Sequence, residues 1–325
     1  MSTITITPEE LAKSAAKYRK ELLMMSVIAL QNTLQHMSLR TGIRYKETVG
    51  ELSGSIEMGP YDETRVNESN VKITGRELET FFGSVWEKFS PNSVYQSIYG
   101  DSIVMGEGLK NVPIAKDVLA FLMKKLSQSL NKNIWGAVRN PVGTTTADLF
   151  NGFDTITQSE VTAGNIAIAK GNLFEFAEAI DATNAVDQLK AYFRAASDEL
   201  QGDGDDAVKL KMFIPKSIYN AYVDDYQMTV GAVPYNKEFK KTFLEGSDDL
   251  CELVALPNKK GSPFLHLTPK KNMLVGVDQS SDTEKITIEK HEPFRLDFVA
   301  AMFFGTQFES ISPERLLVGK LYTGA

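Results

Sequence analysis

The chain has 325 residues, 42% of them hydrophobic and 24% charged, which allows a sizeable core in two packed regions and excludes wholesale disorder. A formal net charge of −7 argues against a surface built as a whole to grip nucleic acid, which carries a basic face. The single cysteine, Cys251, excludes an intrachain disulfide framework and a cysteine-rich zinc site.

The first predicted element opens at "TPEE" (Thr7 to Glu10), a capping box with proline at the first helical position. The helix is expected to run to about Met37, with Leu11, Ala15, Tyr18, Leu22, Met25, Ala29 and Leu34 roughly on one face. Lys13, Lys17 and Lys20 lie on another side and read as a solvated face. "KYRKELLMMSVIALQN" looks like a charged flank before an apolar signal core. It starts too far in, and it runs into Gln31 and Asn32 without a small-residue cleavage pattern. No segment approaches the roughly 18 consecutive apolar residues of a membrane span, so the expectation is a soluble intracellular protein.

Between residues 41 and 82 the stretches "IRYKETVGELSGSIEM" and "VNESNVKITGRELETFF" carry β-branched residues, glycines and charges but few large apolar groups. "GPYDE" between them is a turn signal built on Gly59, Pro60 and Asp62. The pattern predicts a long two-stranded antiparallel ribbon. Such a hairpin is marginal alone in water, and a neighbouring subunit is the expected support. "SPNSVYQSIYG" predicts a short helix capped by Ser90 and ended by Gly100. Pro113 then opens the strongest helix, expected to reach about Trp135. Its residues Ile114, Val118, Leu122, Leu126, Leu130 and Ile134 recur every four positions. Each step advances the stripe by about 40° on a helix of 3.6 residues per turn, so the apolar line winds around a spine that meets several partners in succession.

"RNPVGTTTADLFNGFDTIT" reads as a loop followed by a short extended piece. "TNAVDQLKAYFRAASDEL" places Val186, Leu189, Phe193, Ala196 and Leu200 at helical spacing, and "QGDGDD" breaks it. A strand at "VKLKMFIP", a helix started by Pro215, and strands near "CELVAL", "PFLHLT" and "NMLVGV" complete a compact mixed α/β unit. No fixed-period repeat or low-complexity tract appears.

Motifs that carry chemistry are weak. Counting Asp278 as position one, Ser280, Asp282, Glu284 and Glu289 fall at positions three, five, seven and twelve of a calcium-binding loop. The sixth position, which needs glycine, is Thr283, and "EKITIEK" alternates as a strand. The run Asp203 to Asp206 reads as a polar turn, and the pair Asp224 and Asp225 as solvated helix residues. Cys251 reads as a buried strand thiol. His36, His266 and His291 show no metal-ligand spacing, and a strand position explains His266. No phosphate-binding glycine loop, nucleophile elbow or dinucleotide fingerprint occurs. No catalytic, cofactor-binding or metal-binding residue is assigned, no cofactor is expected, and an enzyme is not expected.

In their order, these features resemble the major capsid proteins of tailed bacteriophages, the Hong Kong 97-type fold. The carriers are the N-terminal arm, the charged ribbon where that family has its extended loop, and the helix "VPIAKDVLAFLMKKLSQSLNKNIWGA". "ADLFNGFDTIT" resembles the segment entering the axial domain, and "NMLVGVDQSSDTEKITIEKHEPFRLDFVAAMFFGTQF" the closing part. "ERLLVG" would be the final strand. "KITGRELETFFGSVWEKFSPNSVYQSIYG" is similar to a stretch in capsid proteins of phages infecting Bacteroidetes. The resemblance implies an α+β fold with an N-terminal arm (1–40), an extended loop and connection (41–110) and a peripheral-domain spine helix (111–140). An axial domain (141–284) and peripheral closing strands (285–325) follow.

It further implies a structural protein of the virion capsid, made in the host bacterial cytoplasm. Such a protein self-assembles into hexamers and pentamers of an icosahedral shell around double-stranded DNA, held by weak non-specific contact. Scaffolding, portal and decoration proteins are further partners, and a membrane is not. No long charged coiled segment precedes the arm, so a fused scaffolding domain is expected to be absent or already removed. Some members cross-link subunits through a lysine of the extended loop. Lys46 and Lys72 lie there, with nothing around them to mark a partner, and the chemistry is not carried over. Two alternatives stand beside this reading: an encapsulin-like shell around cargo enzymes, and a monomeric α/β ligand-binding protein or enzyme.

Overall fold

A computed structural model describes residues 31–53, 72–89, 114–201, 209–230, 242–278, 286–292 and 295–322. Most of the predicted N-terminal helix, the ribbon turn at Gly59 to Asp62, the helix expected over 90–100 and the Asp203 to Asp206 turn lie outside the described residues.

The described chain begins with one helical turn, α1 (Gln31–Leu34), and a short strand, β1 (Ser38–Thr41). The predicted ribbon follows as β2 (Lys46–Ser53) and β3 (Lys72–Glu79), antiparallel from Lys46 opposite Glu79 to Ser53 opposite Lys72. The sequence reading ended the ribbon at Phe82. Instead the chain turns at Thr80 into a further strand, β4 (Phe81–Phe89), which pairs along β11 (Arg295–Phe308). The period-2 alternation responsible was present in "FFGSVWEK": Phe82, Ser84, Trp86 and Lys88 are exposed, while Phe81, Gly83 and Val85 are half-buried.

The spine helix is α2 (Ile114–Asn133). Its stripe sinks toward the C-terminal end: Leu122 and Leu126 are half-buried, whereas Leu130 is 1% and Ile134 just beyond it 0% exposed. The predicted extended piece after it is a helix, α3 (Phe153–Thr162). Its first amides are satisfied by the turn just after α2, Phe153 N–H donating to Ile134 O at 3.2 Å and Asp154 N–H to Trp135 O at 2.9 Å. A docked, already capped start overrides the strand propensity of "DTIT".

Next come β5 (Leu173–Glu175), then α4 (Ala185–Arg194) and α5 (Asp198–Gln201). These two helices replace the single predicted one, with all five predicted apolar positions buried. After them stand β6 (Leu210–Pro215), α6 (Lys216–Val230), β7 (Cys251–Leu256), β8 (Phe264–Pro269), β9 (Met273–Val277), β10 (Ile286–Glu292) and β12 (Leu317–Lys320).

Two five-stranded sheets result. The first runs β1-β9-β11-β10, with β4 also on β11, and the second β5-β12-β8-β6-β7. The pairing cuts across the sequence boundary expected at 284/285: β9 joins β11 in the first sheet, and the last strand, β12, returns to the second. Alternation within each strand sorts side chains between faces. Leu210, Met212 and Ile214 of β6 pack with Leu189, Tyr192 and Tyr222 from α4 and α6. Phe213 faces the other way, into a core shared by Trp135, Phe153, Phe264, Val275, Phe304 and Phe308. The second sheet is therefore buried on both faces, and one core joins it to the spine helix and the first sheet.

Candidate functional site: a buried polar centre and two exposed surfaces

Five polar side chains from three elements meet inside the shared core. Lys259, in the turn after β7, is fully buried; its Nζ donates to Asp154 Oδ1 (3.0 Å), Ser262 Oγ (3.0 Å) and His266 Nδ1 (3.2 Å). It also lies 3.7 Å from the centroid of the Trp135 ring. The surrounding bonds fix the imidazole tautomer. Thr157 Oγ1 donates to Phe153 O, so it accepts from His266 Nε2–H at 2.9 Å, which leaves Nδ1 as the acceptor facing Lys259. Ser262 likewise donates to Phe264 O and accepts a hydrogen bond from Lys259 Nζ.

Burial pushes the Lys259 ammonium down to about 8, against the pull of Asp154. His266 is driven well below the usual imidazole range, first by burial and then by the Lys259 charge. With all three ammonium protons engaged, the centre ties together α3, the β7–β8 turn and β8, with the Trp135 ring just beyond α2 packed against the ammonium. The sequence reading placed His266 correctly in a strand and missed the centre. Nothing in "NKKG" separates Lys259 from its exposed neighbour Lys260.

The other singled-out residues have separate places. Asp278, position one of the candidate calcium loop, has a side chain only 1% exposed and accepts from Arg44 Nε at 2.7 Å. Ser280, Asp282 and Glu284 lie outside the described residues, and Glu289 is in β10, opposite Asp297. Among the described residues no three His, Cys, Asp or Glu side chains are grouped to hold a metal ion. Asp224 is exposed, whereas Asp225 is buried and accepts from Val186 N–H at 2.7 Å, at the start of α4 where a carboxylate meets the positive end of the helix. Cys251 is buried in β7, its thiol pushed up by desolvation. His36 lies between Lys211 and Glu252, its Nδ1 3.2 Å from Lys211 Nζ and 3.6 Å from Glu252 Oε1; burial, then Lys211, lowers its pKa.

Two surfaces stand out. Between α2 and β4 runs a groove of about 840 Å³, walled by Leu122, Leu126, Val85, Leu149 and Met302 with Arg139 at its rim. Around it Phe121 is 53%, Phe82 51% and Trp86 63% exposed, a concentration of aromatic area typical of a contact surface. Lys125 and Lys88 lie over the Phe121 and Trp86 rings. The second surface is the ribbon. Among the described residues β2 and β3 pair only with each other, no third strand covers either edge, and the Glu77 carbonyl of β3 accepts from Gln307 Nε2 of β11 at 3.1 Å.

No model of a protein family matches the chain, and no curated protein matches it. Solved structures do. A chain of the satellite phage P4 procapsid matches with a TM-score of 0.55 and 12% identity, over 90% of this chain and 98% of that one. A capsid chain of a native GTA particle gives 0.57 and 10%, over 99% and 93%, and the capsid of cyanophage A-1(L) gives 0.56 and 15%, over 92% and 93%. The chain shares the fold of these chains, the Hong Kong 97-type fold, of the α+β class. The expected architecture is thereby borne out at the level of fold.

Proposed function

We propose that the protein is a major capsid protein that self-assembles into hexamers and pentamers of an icosahedral phage shell enclosing double-stranded DNA. The observation that carries this is the fold likeness, which extends over nearly the whole of both chains in each comparison. The first sheet with α2 would be the peripheral domain and the second sheet with α4 and α6 the axial domain. In a ring, the ribbon of one copy lies over the spine helix of the next, against the groove between α2 and β4. Such heterologous contacts close into rings when the rotation between copies closes. The function is structural, without catalysis. Scaffolding, portal and decoration proteins would be further partners, the DNA would be held weakly, and assembly would follow synthesis in the host cytoplasm.

The test is assembly of the purified protein, followed by electron microscopy and light scattering. Wild-type protein is expected to form rings and shells. Replacing residues 55 to 67 with a short Gly-Ser linker should leave the body folded, by circular dichroism, and abolish shells. Full-sized shells from the deleted protein would overturn the role given to the ribbon, and a monomeric wild type would overturn the shell.

A further inference from the structure

The ribbon leaves the body across a notch. Gly276 of β9 and Gly305 of β11 are register partners. A Cβ on Gly305 would stand 2.0 Å from the Glu79 carbonyl oxygen, and one on Gly276 2.7 Å from Thr80 Cγ2. The backbone step from Glu79 to Thr80 thus crosses the first sheet at a separation that only glycines permit. Thr80 is buried there; its N–H donates to Tyr45 O at 2.7 Å and its hydroxyl to Ile43 O at 3.2 Å.

Two further ties hold the same point. Val49 and Leu78 of the ribbon close a small apolar cluster with Ile43 and Leu274, on the sheet face opposite the main core. Arg76 Nη2 donates to Glu160 Oε1 of α3 at 2.6 Å and to Gln307 Oε1 of β11 at 3.2 Å. The arginine and glutamate side chains keep only 15% and 17% exposure, so this ion pair is screened far less than a surface pair. Notch, cluster and ion pair fix the ribbon against three different elements.

We infer that the ribbon root is a rigid joint, built from Gly276, Gly305, Arg76 and Glu160, that sets the ribbon's angle on the body and so the curvature at which copies associate. The curvature part rests on the shell reading above; the joint does not. The leverage is large. Each ribbon strand has eight residues, about 26 Å at roughly 3.3 Å per residue, so a tilt of about 10° at the root moves the far end by about 5 Å. A displacement of that size repositions a contact on a neighbouring copy.

The experiment uses the full chain with spin labels on Lys72→Cys in β3 and Lys124→Cys on the exposed side of α2. Cys251 is fully buried and escapes labelling. A single narrow distance is expected in the otherwise unaltered protein. Arg76→Glu and Glu160→Arg should each shift or broaden it by several ångström, and the double swap should restore it. Gly305→Ala, which must open the notch, should shift it as well; where that variant fails to fold, the charge swap still decides.

In assembly, the single charge variants should give shells of altered or mixed diameter and the swap shells of the original diameter. Unchanged distances in both single variants would overturn the joint. Changed distances with shells of unchanged diameter would overturn the link to curvature. If the unaltered protein makes no shells, the curvature part falls with the shell reading, while the distances still decide the joint.

Discussion

Lys259→Met removes the centre of the buried polar tie while roughly conserving volume. It deletes three charge-assisted hydrogen bonds and the contact with the Trp135 ring. It also leaves the Asp154 carboxylate, 9% exposed, without its cation. Stripping one partner from a buried ion pair destabilises by about 3–5 kcal/mol. The depression of the lysine to about 8 shows that desolvation already opposes the charge, so the lower end, about 3 kcal/mol, is expected. With an unfolding entropy of about 2.1 cal/mol/K per residue, this lowers the melting midpoint by about 4 °C for a chain unfolding as one unit. Calorimetry on unassembled protein reads it. Asp154→Leu combined with Lys259→Met removes both charges and should recover to within about 1 kcal/mol of the original. A Lys259→Met midpoint within about 1 °C of wild type would refute the tie, as would a double variant no better than the sum of its singles.

Two further outcomes are expected. The folded pKa of His266 lies below its ordinary value of 6.5, so on acidification the unfolded chain takes up a proton that the folded one refuses. The stability concerned is intact above about pH 6.5 and falls by about 1.4 kcal/mol per pH unit below it. His266→Gln, which keeps an acceptor for Lys259, should flatten this slope between pH 6.5 and 5. His36 titrates in both proteins and cancels, so identical pH profiles would refute the assignment. Along α2, Leu130→Asp buries an unpaired charge in the core and should abolish soluble protein, at a cost of several kcal/mol. Leu122→Asp, at the half-buried wall of the groove, should stay folded by circular dichroism, and equal solubility of the two variants would contradict the graded burial.

Much of the fold was legible because its signals are local. The four-residue stripe gave α2 to within a residue or two at each end, and the charged, glycine-bearing stretches gave the β2–β3 pairing. "VKLKMFIP" before Pro215 gave β6 and then α6. What failed to show depends on partners distant in sequence. The end of "ADLFNGFDTIT", up to Thr157, carries β-branched residues and reads as extended until the carbonyls of Ile134 and Trp135 are there to cap it. The strand character of β4 was visible as alternation, but its partner lies more than 200 residues on. The polar centre assembles positions 135, 154, 157, 259, 262 and 266, and of these only His266 drew attention in the sequence. The return of β12 to the second sheet is a matter of topology, which "LLVGK" cannot encode alone.

The ribbon shows how the two kinds of information combine. Its sparse apolar content implied support from elsewhere, and a neighbouring copy was the natural candidate. The structure divides that support. Val49 and Leu78, the apolar pair of its inner end, are buried against Ile43 and Leu274 of the same chain, while Glu47, Thr48 and Gly50 beside Val49 are exposed. One face of the root is therefore settled within the subunit. On the opposite face Lys46, Thr48, Gly75 and Glu77 are exposed, and among the described residues no third strand covers either strand edge. A two-stranded sheet cannot satisfy those edges internally, and a partner that pairs with them gains backbone hydrogen bonds without first ordering the root, because the notch has already done so. Association then pays less conformational entropy than it would for a free hairpin, which makes a pre-aimed ribbon a better assembly element than a flexible one.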